Sequence, residues 1–115
     1  SLRFETVPIA DCRAVLDNAD TLTAYIAVDK AVGPVTVRQW QPGDVFYPLG
    51  APGSKKLKDL FSDLKIPPLE RRHVPVLLFG ERIAWVCGLR LDERFKILPG
   101  AIAALKVTLQ TAARI

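Results

Sequence analysis

At 115 residues, half of them apolar and a quarter charged, the chain has the length and balance of one globular domain with a core of its own, and is short for a complete multi-substrate enzyme. No stretch nears the ~18 consecutive apolar residues that cross a bilayer, and there is no charged-then-apolar leader. The net charge of +4 is modest but uneven: residues 1–53 carry four basic and six acidic side chains, residues 54–96 ten basic and six acidic.

In chain order, residues 2–7 (LRFETV) and 22–28 (LTAYIAV) read as strands, the second placing Leu22, Ala24, Ile26 and Val28 on one face. Residues 9–20 have no clean period and are expected to form a loop or short helix. Val35–Trp40 is a further strand, Pro42-Gly43-Asp44 a turn, and Pro48, Gly50, Pro52 and Gly53 mark an irregular loop. Leu57, Leu60, Phe61 and Leu64 fall at helical spacing, with Ser54 as N-cap and Ile66-Pro67-Pro68 as the stop, which predicts a helix over about 54–65. A short turn over Leu69–His73 follows. Pro75–Phe79 and Arg82–Cys87 flank Gly80-Glu81 as a hairpin. Gly88 interrupts before Leu89–Ile97, Pro99-Gly100 turns the chain, and Leu105–Leu109 alternates as a closing strand. Six or seven short strands and one clear helix predict an α+β domain whose sheet is largely antiparallel.

Most catalytic motifs fail on inspection. Gly50-Ala-Pro-Gly53-Ser54-Lys55 lacks the spacing of a phosphate-binding Walker loop. His73 is the only histidine and is expected at the surface, so no zinc set with ligand spacing exists. Cys87 alternates with Trp85 and Ile83 on an apparent core face, where a thiol is inert. Cys12 and Cys87 are far apart and are expected to be reduced. Asp59 and Asp63, one turn apart, read as local partners for nearby lysines rather than a catalytic pair.

Charge carries the stronger signal. A helix starting at Ser54 would set Lys55 and Lys56 in its first turn, where the macrodipole is already positive, at a cost of up to ~1 kcal/mol each. Free N–H groups, cations and glycines at 50 and 53 together describe an anion grip; the competing reading is a screened, solvated helix end. The aromatic residues Trp40, Phe46, Tyr47, Phe61, Phe79, Trp85 and Phe95 are spread along predicted elements at mostly core-facing positions, which favours recognition of a duplex backbone over base stacking.

A larger pattern then emerges. Arg38-Gln-Trp-Gln-Pro-Gly43-Asp44-Val-Phe46, Pro48-Leu49-Gly50, Gly53-Ser-Lys55-Lys56-Leu57-Lys58-Asp59-Leu-Phe61, Lys65-Ile66-Pro67, Arg71, Pro75, Trp85-Val86-Cys87-Gly88 and Arg90…Arg94-Phe95-Lys96 occur in an order that resembles the C-terminal domain of bacterial tRNA(Ile)-lysidine synthetases, over about residues 24–110. Val45 and Pro68 stand where that family usually has arginines. The resemblance implies a sheet sandwich with helices, as in the tRNA-binding domain of the phenylalanyl-tRNA synthetase beta subunit. It divides the chain into an amino-terminal strand and connector (1–23) and a tRNA-binding part (24–115), one compact domain in all.

It also implies RNA ligands: Lys55, Lys56 and Lys58 first, then Lys65, Arg71 and Arg38, then Arg90, Arg94 and Lys96, with no catalytic residue and no metal ligand. The family enzyme attaches lysine to the wobble cytidine of isoleucine tRNA with a CAU anticodon. ATP and a divalent metal ion are expected in an N-terminal catalytic domain whose SGGxDS loop is absent here, so this fragment needs no cofactor. Its expected partners are the acceptor-stem region of that tRNA and the catalytic domain, and its expected location is the cytoplasm. Opening on Ser1 without any methionine, the chain is expected to be a piece of a longer protein. A domain that docks the catalytic half without touching RNA is the alternative.

Overall fold

A computed structural model describes residues 2–9 and 22–110; the loop or short helix expected over 9–20 lies, beyond residue 9, outside them. In chain order the elements are β1 (Leu2–Pro8), β2 (Thr23–Ala27), β3 (Val35–Gln39), β4 (Val45–Phe46), β5 (Lys55–Lys56), α1 (Leu57–Asp63), α2 (Pro68–Arg71), β6 (Pro75–Phe79), β7 (Arg82–Val86), β8 (Arg90–Leu91) and β9 (Ala103–Leu109), with 3-10 turns at Val28–Lys30 and Glu93–Phe95. Among the described residues all strand pairing is antiparallel.

β9 runs between β1 and β2 in a three-stranded sheet, and β3-β6-β7-β8 form a second sheet. A run of five apolar-rich positions with no polar face, as in β6 (PVLLF), belongs in a middle layer. Leu77 and Phe79 face the first sheet, joining Ala24, Ile26, Trp85, Phe95 and Val107, whereas Val76 and Leu78 face the helix layer, joining Phe46, Leu57, Leu60 and Phe61. The result is sheet, sheet, helix.

β2 is buried on both faces, Ile26 toward the second sheet and Tyr25 against Ile9 and Ala104 on the outside. Leu22 and Val28, expected on one face with Ala24 and Ile26, sit past the strand ends and are exposed. In β7 the register slips: Leu78 faces Ile83 while Leu77 faces Trp85, so Ala84 is an extra, bulged residue. The expected alternation of Ile83, Trp85 and Cys87 is thereby broken, and Ile83 joins the helix-side core while Trp85 and Cys87 join the inter-sheet core.

The helix is shorter than expected and starts later. Lys55 and Lys56 pair with Phe46 and Val45 as a two-stranded ladder, and the N–H of Leu57 donates to the carbonyl of Asp44 (3.0 Å). Ser54 therefore caps nothing; Lys56 stands at the N-cap in an extended conformation without a side-chain bond. Leu57, Leu60 and Phe61 are buried as the stripe requires, while Leu64, at the helix end, is exposed.

Candidate nucleic-acid interface

Because β5 is a strand, Lys55 and Lys56 do not lie in a helical first turn. Successive residues of a strand point to opposite sides, and the two lysines part accordingly. Lys55, half-buried, is ion-paired with Asp63 at the far end of α1. Lys56 is exposed and has no ionic partner among the described residues; Lys58, on the outer face of α1, is likewise exposed and unpaired, and Asp59 pairs with neither. The loop glycines do not form an open cradle, for the N–H of Gly50 is spent on Glu93 Oε1 (2.9 Å). The expected anion grip at a helix start is thus replaced by a lysine-bearing strand and a helix flank.

At the other end of α1, Lys65 N–H donates to the carbonyl of Ser62 (3.1 Å) and Ile66 N–H to that of Phe61 (2.9 Å). This is the Schellman closure of a helix, with Ile66 packed in the same core as Phe61. Its penultimate position requires a left-handed residue, and Lys65 supplies it at φ 58°, the one non-glycine residue with positive φ among those described. The Lys65 ammonium extends into solvent without a partner among the described residues.

Arg71 turns back onto this closure. Its Nε donates to the Ile66 carbonyl (2.9 Å) and its guanidinium lies 5.7 Å from the Phe61 ring centroid, a ring that Trp40 meets edge-on at 5.3 Å. One donor is used and the plane is fixed, leaving the two terminal nitrogens unengaged among the described residues. Arg72 follows, exposed and unpaired. Around α1 and α2, Lys56, Lys58, Lys65, Arg71 and Arg72 have no acidic partner, against the unpaired carboxylates Asp59 and Glu70. Opposing charge is therefore outnumbered here, and the surface suits an anion.

Three of the other expected ligands, Arg38, Arg94 and Lys96, are used internally. Arg38 grips Asp44 with both terminal nitrogens (2.9 and 3.1 Å), pinning the end of β3 to the turn before β4. Burial pushes the Asp44 carboxyl up, but the Arg38 guanidinium and the Gln41 N–H outweigh it and hold the group below its ordinary value. Arg94 grips Asp92 through Nε and Nη2 (both 3.0 Å) and lies 4.4 Å from the Tyr47 ring centroid. Asp92 has no solvent exposure and accepts two further N–H donors, from Tyr47 (2.9 Å) and Arg94 (2.8 Å). Lys96 pairs with Glu93. Glu93 is held below its usual value first by the Gly50 N–H and then by Lys96. Arg90, on β8, is exposed and unpaired among the described residues. Cys87 is a free, buried thiol that burial pushes up to about 12, in keeping with an inert core residue.

A family model described as the TilS substrate C-terminal domain matches residues 35–107, more than half of the chain and every basic residue discussed above. The chain belongs to that family. Two tRNA(Ile)-lysidine synthases illustrate the likeness. That of Clostridium tetani is 42% identical over 91 residues, 79% of this chain and 20% of the relative, and that of Geobacter sulfurreducens 39% over 90 residues, 78% and 19%. This chain thus spans about a fifth of the length of those relatives. A crystal structure of a TilS C-terminal domain superposes with a TM-score of 0.69 at 28% identity, covering 78% of this chain and 70% of that one. An N-terminal fragment of the phenylalanyl-tRNA synthetase beta subunit from Pyrococcus horikoshii shares the fold, with a TM-score of 0.64 over 95% of this chain and 39% of that one at 12% identity. Among the described residues, no helix is long and apolar enough to cross a membrane.

Placed on the fold, the departures from the lysidine synthetase pattern become local. Val45 lies directly across the ladder from Lys56, and Pro68 begins α2 beside Lys65 and Ile66. An arginine at either place would border the unpaired cations. The quoted family pattern includes Arg71 and not Arg72, although the adjacency of the two arginines is a signal. It gave no sign of Asp92, because a carboxylate that binds loops across the fold looks like any surface acid in the sequence.

Proposed function

We propose that this chain is the tRNA-binding part of a tRNA(Ile)-lysidine synthetase, holding the acceptor-stem backbone through Lys56, Lys58, Lys65, Arg71, Arg72 and Arg90. The single observation that carries this reading is that the cations around α1 and α2 are left without carboxylate partners, whereas Arg38, Arg94 and Lys96 are consumed in holding loops together. Lys55 belongs between these groups, since Asp63 is 61% exposed and, unlike the Glu93 that holds Lys96, has no backbone N–H fixing it among the described residues, so a phosphate can compete for the lysine. The remainder of the enzyme joins lysine to the wobble cytidine of isoleucine tRNA with a CAU anticodon, using ATP and a divalent metal ion, in the cytoplasm. This part contributes only positioning. Duplex RNA is recognised mostly by its backbone, shape and 2′-hydroxyls, so base specificity need not reside here.

Titration with isoleucine tRNA, an acceptor-stem minihelix and an anticodon minihelix at several salt concentrations tests the reading. Acceptor-bearing RNAs should bind better, with a log–log salt slope of roughly 0.7–0.9 per phosphate contacted. Lys56→Glu with Lys58→Glu should lower both affinity and slope, and Lys96→Gln should change neither. Salt-insensitive binding, or equal loss from Lys96→Gln, refutes it.

A docking role is favoured by a separate observation: Leu98 (50% exposed) and Ile102 (86% exposed) line an apolar groove with Ala27 and Val28. Under that reading the isolated catalytic half binds this chain, and Ile102→Asp abolishes the binding without affecting RNA.

A further inference from the structure

Tyr47 carries a ring that lies outside the core and meets Arg94 on one face. Its backbone is fixed: the N–H donates to the fully buried Asp92 (2.9 Å), and the carbonyl accepts from Glu93 N–H (2.6 Å). Leu49 N–H donates to the Leu91 carbonyl (2.9 Å) and Gly50 N–H to Glu93, so the whole stretch is pinned to the segment 91–93. The ring itself belongs to none of the core clusters, and 40% of the residue is exposed. Phe46, Phe61, Phe79, Trp85 and Phe95 are buried; apart from Phe4, Tyr47 is the one markedly exposed aromatic residue among those described. Arg94 lies over its ring, and the Nε–Nη2 edge of the guanidinium is held by Asp92.

A part-exposed aromatic ring, on a backbone held by a buried carboxylate and backed by a guanidinium, presents fixed π surface to solvent. The ring is planar and chemically suited to stack a nucleobase on the face away from Arg94, with the guanidinium as its backing. Position supports the same partner. Tyr47 is the next residue along from Phe46, which pairs with Lys55 in the ladder that also carries Lys56. A base on Tyr47 would leave its phosphate close to the lysine strand.

We propose that the Tyr47–Arg94 pair is a stacking platform for one unpaired nucleobase of the RNA whose duplex backbone lies on the adjacent cations. This rests on the tRNA-binding reading above. It also amends the expectation that duplex-backbone recognition is favoured over base stacking.

The test compares two RNA minihelices that share one duplex, one blunt and one with a 3′ single-stranded overhang of four nucleotides containing 2-aminopurine. The chain should bind the overhang form about tenfold more tightly, within the range of one stacked base, with quenched 2-aminopurine fluorescence. Tyr47→Phe should retain both effects. Tyr47→Ala keeps every backbone bond named above; it should remove the preference and the quenching while leaving affinity and salt slope for the blunt duplex unchanged. Equal binding of both RNAs by the unaltered chain, with salt dependence intact, overturns the platform and spares the backbone reading. No binding of either RNA at low salt overturns both. Displacement of the overhang RNA by equimolar AMP would assign the platform to a free nucleotide and overturn its assignment to RNA.

Discussion

Lys65 sits where helices commonly end in glycine, at φ 58°, with its N–H and that of Ile66 closing the Schellman turn. Holding an L-side chain in that region costs roughly 1–2 kcal/mol. Glycine removes that cost but gives back about 0.5–1 kcal/mol through the greater freedom of the unfolded chain. Lys65→Gly is therefore expected to stabilise the fold by about 0.5–1 kcal/mol, a rise of roughly 2–5 °C in melting temperature. The same substitution deletes a solvent-facing ammonium. If that ammonium meets a phosphate, the log–log salt slope of RNA binding falls by about 0.7–0.9, equivalent to a five- to eightfold loss of affinity near 0.1 M salt. A urea melt and an RNA titration on the same sample read the two changes, which have opposite signs for the organism. A less stable variant would refute the account of the turn. A more stable variant with unaltered salt slope would show that the lysine is kept for some reason other than RNA.

Asp92→Asn leaves the Arg94 guanidinium without its counter-ion and turns an amide N–H₂ toward donors that need an acceptor. Breaking a buried pair costs ~3–5 kcal/mol, and because the Arg94 side chain is 33% exposed the loss should lie near 2–3, seen as a lower urea midpoint at unchanged slope. For Asp44, the folded carboxyl binds a proton less readily than the unfolded chain does. The stability it contributes is full at neutral pH and declines as pH falls from the ordinary carboxylate range through the lower folded value; Asp44→Asn should flatten the melting-temperature profile across that acid window. In a Cys12→Ser background, Cys87 should resist alkylation at pH 8 until urea unfolds the chain, because its thiol is buried and titrates near 12. Rapid labelling of the folded protein would contradict that placement.

What the sequence disclosed was whatever depends on near neighbours. The β6–β7 hairpin followed from two apolar runs around Gly80-Glu81, and α1 from the spacing of Leu57, Leu60 and Phe61. The helix start was misplaced because Lys55 and Lys56 are claimed by β4, ten residues earlier, through a ladder that leaves no periodic trace in two residues. The bulge at Ala84 was hidden for a similar reason, since it is a property of register between strands. The site was partly legible: the family pattern picked out the basic residues but could not sort them. Arg38 from Lys58, or Lys96 from Lys65, is a distinction made by where Asp44 and Glu93 come to rest after folding.

The placement of β9 between β1 and β2 has a consequence for biosynthesis. Leu2 pairs with Leu109 and Thr23 with Thr108, so neither amino-terminal strand finds its sheet partner until the last strand is made. Val107 also closes the core shared with Trp85 and Phe95. Assembly of this layer must therefore wait for β9 to leave the ribosome, and a nascent chain stalled before Ala103 would expose the apolar face of β6 to chaperones and proteases.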